Sequence, residues 1–325
     1  MLQLSTFNFQ LSTLNLPPVT VLEGIQKSTE FLANRGVDTP RLQAELLLAH
    51  QLNMPRMKLY LNFERQLSVE ETDGLRDSVR RRGLREPLQH IVGTTSFCGM
   101  DLQVTRDVLI PRAETEVLAE AGWTFLAGRT VPGTEPPRAL DLGTGSGCLA
   151  IAVAVHCPNA EIFASDLSAA ALDVARENAR RLKVEQRIRF LEGDAFAPLS
   201  ASGPGQASTA GTLDLIISNP PYIASDEIAS LEPEVRDYDP RSALDGGEDG
   251  LDFFRRLSKE TPAFLKTDGR LMLEFGDGQA DALRDLFAKQ NWIVDEVRDD
   301  YTRRPRILIA RLNPSPESAE ALSDR

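Results

Sequence analysis

The 325-residue chain is expected to fold as an α/β protein, with a doubly wound, mostly parallel sheet following a small helical bundle. Three observations lead there. From Arg138 onward, apolar runs of strand length alternate with helical stretches. The first of these runs ends in a glycine-rich turn, DLGTGSG, as a strand entering a helix beside a ligand does. Ahead of them, residues 19–87 carry helical periodicity and capping signals instead.

Residues 1–18 hold a loose duplication, LSTFNFQ then LSTLNLP, with no charge and no amphipathic period, and read as a disordered leader. In residues 19–87, VTVLEGIQKSTEFLANRG stops at Gly36, RLQAELLLAHQL follows Pro40, and SVEETDGLRDSVRRRG opens with the capping-box pair Ser68 and Glu71. These make a small helical bundle. Its most basic feature, Arg80, Arg81, Arg82 and Arg85, reads either as a solvated face complementing a helix C-terminus or as a contact for an acidic partner. Residues 88–110 alternate with Gly and Thr punctuation, a β-hairpin linker.

Residues 111–312 form the α/β domain. RALDLG, EIFASD, IRFLEGD, LDLIIS and GRLMLEFG are strand-length apolar runs, separated by stretches such as LSAAALDVARENARRL and GLDFFRRLSKETPAFL. WIVDEVRD and RILIAR follow with a connection too short for a helical crossover, so the last strand should pair antiparallel and complete seven. PLSASGPGQASTAGT, between the third and fourth strands, reads as a flexible surface loop, and residues 313–325 as a disordered tail.

Composition narrows the function classes. At 42% hydrophobic and 26% charged the chain is ordinary for a globular protein. Residues 1–110 hold 12 basic and 12 acidic residues, so the remainder carries the whole net charge of -12. That excess of acid argues against a nucleic-acid partner, because such affinity comes largely from Lys and Arg displacing counterions. No stretch approaches the roughly 18 apolar residues of a membrane span, and MLQLSTFNFQ lacks the basic start of a secretory signal. No membrane partner and a cytoplasmic location are expected. Cys98, Cys148 and Cys157, odd in number and without C-x-x-C spacing, read as reduced thiols. His50, His90 and His156 lie far apart, and no metal is expected.

In a doubly wound sheet, ligands sit beyond the carboxyl ends of the strands. After the first strand, Gly143, Gly145 and Gly147 let backbone approach a ligand closely, whereas a dinucleotide fingerprint would want its third glycine where Cys148 stands. After the second comes Asp166, able to accept from ribose hydroxyls or, alternatively, to cap the next helix, a task Ser168 could take. The third ends in Gly193-Asp194, placed for a base edge. The fourth ends in Asn219-Pro220-Pro221-Tyr222. The Asn219 side-chain oxygen and the Pro220 carbonyl can each accept one N–H of a planar NH2 group, stiff prolines hold that backbone, and the Tyr222 ring can pack on a flat substrate. A delocalised nitrogen held beside an adenosine pocket implies S-adenosyl-L-methionine as the methyl source.

At these residues the sequence resembles the Rossmann-like methyltransferases acting on planar amino groups. REPLQHIVGTTSFCGMDLQVTRDVLIPRAETE, YDPRSALDGGEDGL and GRLMLEFGDGQ resemble, more narrowly, the protein-(glutamine-N5) methyltransferases that modify the GGQ motif of class 1 peptide chain release factors. The resemblance implies that Gly143, Thr144, Gly145, Ser146, Gly147, Asp166, Asp194 and Ala195 bind S-adenosyl-L-methionine, with Asn219 beside it. It implies that Asn219, Pro220, Pro221 and Tyr222 hold the substrate glutamine amide, with Asn219, Pro220 and Tyr222 catalytic, and that the helical domain grips the release factor. N6-adenine DNA or RNA methyltransferases share the Asn-Pro-Pro-Tyr and are the alternative, against which the net charge stands. His90, Ala113 and Asp239 depart from the family's common tyrosine, proline and glutamate. Ala195 stands where many members have a larger side chain against adenine, so either Phe196 compensates or that contact is thinner. Glu114, Glu116, Glu234 and Asp237 read as loop anchors or helix-start charges.

Overall fold

The computed structural model describes residues 19–200 and 210–314. The leader at 1–18, residues 201–209 of the Gly/Ser stretch and the tail from 315 onward lie outside the described residues. The chain divides into two compact units, Met1–Val92 and Gly93–Arg325.

Among its described residues the first unit carries five helices, α1 (Val21–Ala33), α2 (Pro40–Gln51), α3 (Arg56–Leu59), α4 (Val69–Gly83) and α5 (Leu88–Val92), with one isolated bridge between Thr20 and Gln66. Ser68 and Glu71 make the expected capping box, and Thr20 with Glu23 make a second at α1. Val21, Ile25, Leu32, Leu47, Leu48, Leu59, Leu75 and Val79 form its core. Within the arginine run, Arg80 pairs with Asp77 and Arg81 with Glu86. Residues 88–92 are a correction to the hairpin reading. Pro87 starts a helical turn there, and Leu88, Ile91 and Val92, at helical spacing, pack on the first unit's core.

In the second unit, β1 (Thr94–Phe97) and β2 (Met100–Gln103) pair antiparallel around Cys98 and Gly99. Both turn residues have positive φ, the requirement of a tight two-residue hairpin. There follow α6 (Ala113–Arg129), β3 (Arg138–Leu142), α7 (Cys148–His156), β4 (Glu161–Asp166), α8 (Ala169–Arg181), β5 (Ile188–Glu192), α9 (Ala197–Ser200), β6 (Leu213–Ser218), α10 (Pro233–Arg236), α11 (Asp252–Glu260), β7 (Leu265–Glu274), α12 (Ala280–Lys289), β8 (Trp292–Asp299) and β9 (Pro305–Leu312).

The seven-stranded sheet has the order β5-β4-β3-β6-β7-β9-β8. Its first five strands are parallel, β9 is antiparallel to β7, and β8 is antiparallel to β9, as the short β8–β9 connection requires. All six residues of β6 are buried, consistent with a central strand covered on both faces. One face carries the cluster of Leu118, Ile151, Val153 and Ile217; the other carries Leu140, Ile216, Phe254, Phe275 and Phe287. The strand order reverses between β3 and β6, so a ligand cleft belongs at the carboxyl ends of these strands.

Two expected loop or tail segments are shorter than their readings. Pro198 to Ser200 belong to α9, where Ser200 N–H donates to Phe196 O and Leu199 is buried. Asn313 is tied back, its N–H donating to Asn291 O at 3.1 Å and its Nδ2 to Asn291 Oδ1 at 3.0 Å.

Candidate active site

A cavity of about 430 Å³ opens at the expected place and is lined from the turn after β3, the ends of β4 and β5, the Asn219-Pro220-Pro221 turn after β6, and the loops at 106–111 and 240–243. Gly143, Gly145 and Gly147 have φ of 71°, 54° and 82°, conformations that L side chains rarely adopt. A Cβ on Gly143 or Gly145 would meet nothing within 4 Å, so these two are set by backbone conformation and face open space. At Gly147 a Cβ would lie 3.0 Å from the Ala175 Cβ, so here glycine also lets α8 come close.

Asp166 is braced rather than loose. Its Oδ2 accepts the Gly145 N–H at 2.9 Å and its Oδ1 the Ser168 N–H at 2.9 Å, while Ser168 Oγ itself caps α8 by accepting from Ala171 N. The capping role therefore falls to Ser168, and each Asp166 oxygen keeps a lone pair for a further donor. Under the turn, Asp141 is 1% exposed and its Oδ2 accepts from Thr144 Oγ1 at 2.6 Å and from Ala150 N at 3.0 Å. Burial pushes its pKa up to about 7, against those two hydrogen bonds. Ser146 and Ser165, both lining the cavity, have buried hydroxyls without a hydrogen-bond partner among the described residues.

At the end of β5, Gly193, Asp194 and Ala195 line the wall. Asp194 Oδ1 lies 2.5 Å from Arg256 Nη1, so the loop is pinned to α11. Ala195 sits at φ 49°, a conformation costing a non-glycine residue about 1 kcal/mol. Phe196 does not line the cavity, so of the two alternatives the compensating aromatic is the one the structure does not support. It is 2% exposed and stacks on Phe264 with centroids 4.8 Å apart, within the core.

After β6, Asn219, Pro220 and Pro221 line the cavity, whereas Tyr222 does not. Asn219 Nδ2 donates to Thr115 Oγ1 at 3.2 Å, which leaves its side-chain oxygen as the atom without a wall partner. The Tyr222 hydroxyl donates to Glu274 Oε1 at 3.3 Å and its ring packs beside Gly276, so the expectation that the ring lies on a flat substrate is not met by this geometry. Burial and the Glu274 charge hold its phenol well above the usual range. Gln279 braces the same turn, donating from Nε2 to Tyr222 O at 2.9 Å and accepting the Gly276 N–H at 2.8 Å.

Several residues at or behind the site carried no individual signal in the sequence. Thr115 lies in the first turn of α6 and Glu274 at the end of β7, joined by a 2.6 Å hydrogen bond. Asn178 on α8 takes the Gln103 N–H and donates to Gln103 O and Ser146 O, tying β2 to the glycine turn. Asp239, noted in the sequence only as a departure from the family's glutamate, pairs with Arg112 at 2.6 Å between the two loops of the cavity rim. Of the acidic residues read as anchors, Glu116 accepts the Cys98 N–H at 2.7 Å and Asp237 pairs with Arg236. Among the described residues no group of His, Cys, Asp and Glu could hold a metal ion, and no helix is long and apolar enough to cross a membrane.

A doubly wound sheet with a glycine turn, an acidic residue on the next strand and Asn-Pro-Pro-Tyr on the fourth defines a methyltransferase, and residues 125–231 match the methyltransferase small domain. Residues 23–93 match the PrmC N-terminal domain. The release factor glutamine methyltransferase of Geobacter sulfurreducens is 42% identical over 293 residues, spanning 90% of this chain and 97% of that protein. Those of Chlorobaculum tepidum, at 40% over 89% of this chain and 96% of the other, and of Rhodospirillum rubrum, at 41% over 85% and 80%, are similarly near. The chain belongs to the release factor glutamine methyltransferase family.

Proposed function

We propose that this enzyme transfers a methyl group from S-adenosyl-L-methionine to the side-chain amide nitrogen of the glutamine in the GGQ motif of class 1 peptide chain release factors, acting in the cytoplasm. The observation that carries the reading is that Asn219 lines the cavity with its side-chain nitrogen engaged by Thr115, which leaves its oxygen free to serve as the acceptor.

The cavity suits the cofactor in three respects. The glycine turn has no side chain at Gly143 or Gly145 to fill the space before it. Asp166, fixed by two backbone donors, can accept from vicinal hydroxyls. The Ser146 and Ser165 hydroxyls are buried and still want partners. Gly143, Thr144, Gly145, Ser146, Gly147 and Asp166 would hold the cofactor, with Asp194 and Ala195 at its base. When bound, S-adenosyl-L-methionine supplies a methyl group activated by its sulfonium.

The rest is done by the chain's own residues. An amide nitrogen is a weak nucleophile because its lone pair is delocalised, so holding it in line matters more than deprotonating it. The Asn219 oxygen accepts one N–H of the acceptor amide and the Pro220 carbonyl the other, which fixes the nitrogen and draws its protons aside. Pro220 and Pro221 limit the backbone's freedom to move away. Tyr222 acts from behind, through Glu274. After the new N–C bond forms, the nitrogen is strongly acidic and gives up one proton to water. The test is to incubate the enzyme with a class 1 release factor and the methyl donor and to locate the modified residue by peptide mass spectrometry. A single added methyl on the GGQ glutamine is expected; methylation elsewhere, or of adenine in nucleic acid instead, overturns the reading.

A further inference from the structure

From the cavity wall, where Asn219 and Thr115 both stand, three hydrogen bonds link the Asn219 carboxamide to the sheet. Asn219 Nδ2 donates to Thr115 Oγ1 at 3.2 Å, Thr115 Oγ1 donates to Glu274 Oε2 at 2.6 Å, and the Tyr222 hydroxyl donates to Glu274 Oε1 at 3.3 Å. Thr115 and Glu274 are each 1% exposed. A threonine hydroxyl has one hydrogen to give. While Glu274 is a carboxylate it has no hydrogen of its own, so the Thr115 hydrogen is committed to Oε2 and Thr115 can only accept from Asn219. That acceptance turns Nδ2 to the wall and the oxygen to the cavity. A neutral Glu274 can instead donate to Thr115, which frees the Thr115 hydrogen for the Asn219 oxygen. The carboxamide would then present its NH2 to the cavity, opposing the N–H groups of an incoming amide.

Resting on the glutamine-amide reading above, we propose that Glu274 and Thr115 are positioning residues that set the hydrogen-bond polarity of Asn219, presenting its oxygen to the acceptor only while Glu274 is ionised. The arrangement makes this polarity responsive to pH. Burial pushes the Glu274 carboxyl up to about 7; the Thr115 hydrogen bond, the Arg306 charge on β9 and the Tyr222 hydroxyl oppose that rise, and Glu114 on α6 adds to it. Arg306 is shared with Asp300, 3.6 Å from its Nε. Glu274 is therefore neutral below neutrality and charged above it, and the productive orientation is gained as pH rises.

The experiment measures kcat and KM with a release factor substrate from acid to alkaline pH for the wild type, Glu274→Gln, Thr115→Val and Thr115→Ser. Alongside, the Asn219 side-chain amide resonances of the 15N-labelled proteins are followed through the same titration without acceptor. Wild-type kcat is expected to rise through an acid limb near the Glu274 pKa, with the Asn219 resonances shifting in step. Glutamine at 274 can offer Thr115 either an oxygen or an NH2 group, so in Glu274→Gln both the limb and the resonance shift should vanish. Thr115→Val should lower kcat about tenfold with cofactor affinity unchanged, and Thr115→Ser should restore it. Asn219 resonances that ignore the titration, a limb that persists in Glu274→Gln, or wild-type kcat in Thr115→Val each overturns the proposal. A Glu274→Gln protein that does not fold leaves the Thr115 pair to decide. A wild type inactive on release factors overturns the activity reading instead, and the resonance titration then judges the polarity by itself.

Discussion

Asp166 Oδ2 and the Gly145 N–H, 2.9 Å apart, join the end of β4 to the turn after β3, so the acidic residue and the glycine turn form one rigid edge of the cavity. Asp166→Ala should therefore weaken cofactor binding doubly, by deleting acceptors and by releasing the turn. Hydrogen bonds to a charged group are worth about 1.5 to 3 kcal/mol each, so a loss of at least tenfold in affinity is expected by titration calorimetry. Asp166→Asn keeps one oxygen and should fall between. Unchanged affinity in both variants would remove Asp166 from the cofactor site.

The glycines of the turn should separate by what a methyl group meets. Gly147→Ala is strained at φ 82° and drives a Cβ to 3.0 Å from Ala175, so it should lose about 2 kcal/mol or more of stability, read as a lowered Tm. Gly145→Ala, equally left-handed but facing open space, should lose about 1 kcal/mol of stability and a larger share of cofactor affinity. Equal effects of the two variants on both measurements would contradict the assignment of packing to one and ligand approach to the other.

Much of the sheet was legible because burial on both faces forces nearly unbroken apolar strands, as in β6, and because left-handed turns select glycine at 143, 145 and 147. The Asn-Pro-Pro-Tyr turn could be placed by its chemistry, but the direction of the Tyr222 ring could not, since a loop residue's orientation is decided by distant partners. Glu274 is 159 positions from Thr115, and Thr115 is 104 from Asn219. Thr115 and Glu274 both lie in stretches that carry the family resemblance, but no local pattern gives a role to a threonine and a glutamate that meet only across the fold. Phe196 shows the converse, an aromatic beside the site that the core claims. The five residues of α5 are too few for helical and strand periods to be told apart.

Arg112 and Asp239 link two rim loops, with the carboxylate fully buried and the guanidinium partly exposed. Arg112→Ala leaves Asp239 without its partner and should cost about 3 kcal/mol, the low end for breaking a buried pair. The sign with pH follows from Asp239, whose pKa burial raises while the Arg112 charge opposes the rise. Removing Arg112 lifts it further, so the folded variant prefers the protonated acid. The variant's deficit should be small below the usual aspartate value and grow as pH rises through the lifted pKa, in denaturant melts at several pH values. A deficit constant with pH would mean the ion pair is not what Arg112 contributes.

Asn219→Ala should remove an acceptor contact and little else. With one of two N–H acceptors gone, kcat should fall about 10²-fold, comparable to deleting one preorganised hydrogen-bonding group from an active site. Cofactor affinity measured without the release factor should be nearly unchanged. A variant with near wild-type kcat would exclude the Asn219 oxygen from holding the acceptor.

Gln279 offers the sharpest test of how the backbone of that turn is kept in place. Its carboxamide bridges main-chain groups, giving hydrogens to Tyr222 O and, at 3.5 Å, to Gly250 O, and taking one from Gly276 N. Gln279→Ala leaves the Tyr222 carbonyl and the Gly276 N–H without this partner, at a cost of about 1 to 3 kcal/mol in stability. Gln279→Glu keeps the shape but sets a carboxylate oxygen against the Tyr222 carbonyl, a repulsion that only protonation relieves by restoring a donor. The glutamate variant should therefore be less stable than the alanine variant at neutral pH and recover relative to it as the medium is acidified. Because the Tyr222 carbonyl closes the turn that begins at Asn219, kcat should track this recovery while cofactor affinity does not. A glutamate variant as active as wild type at neutral pH would show that the turn holds its shape without the bridge.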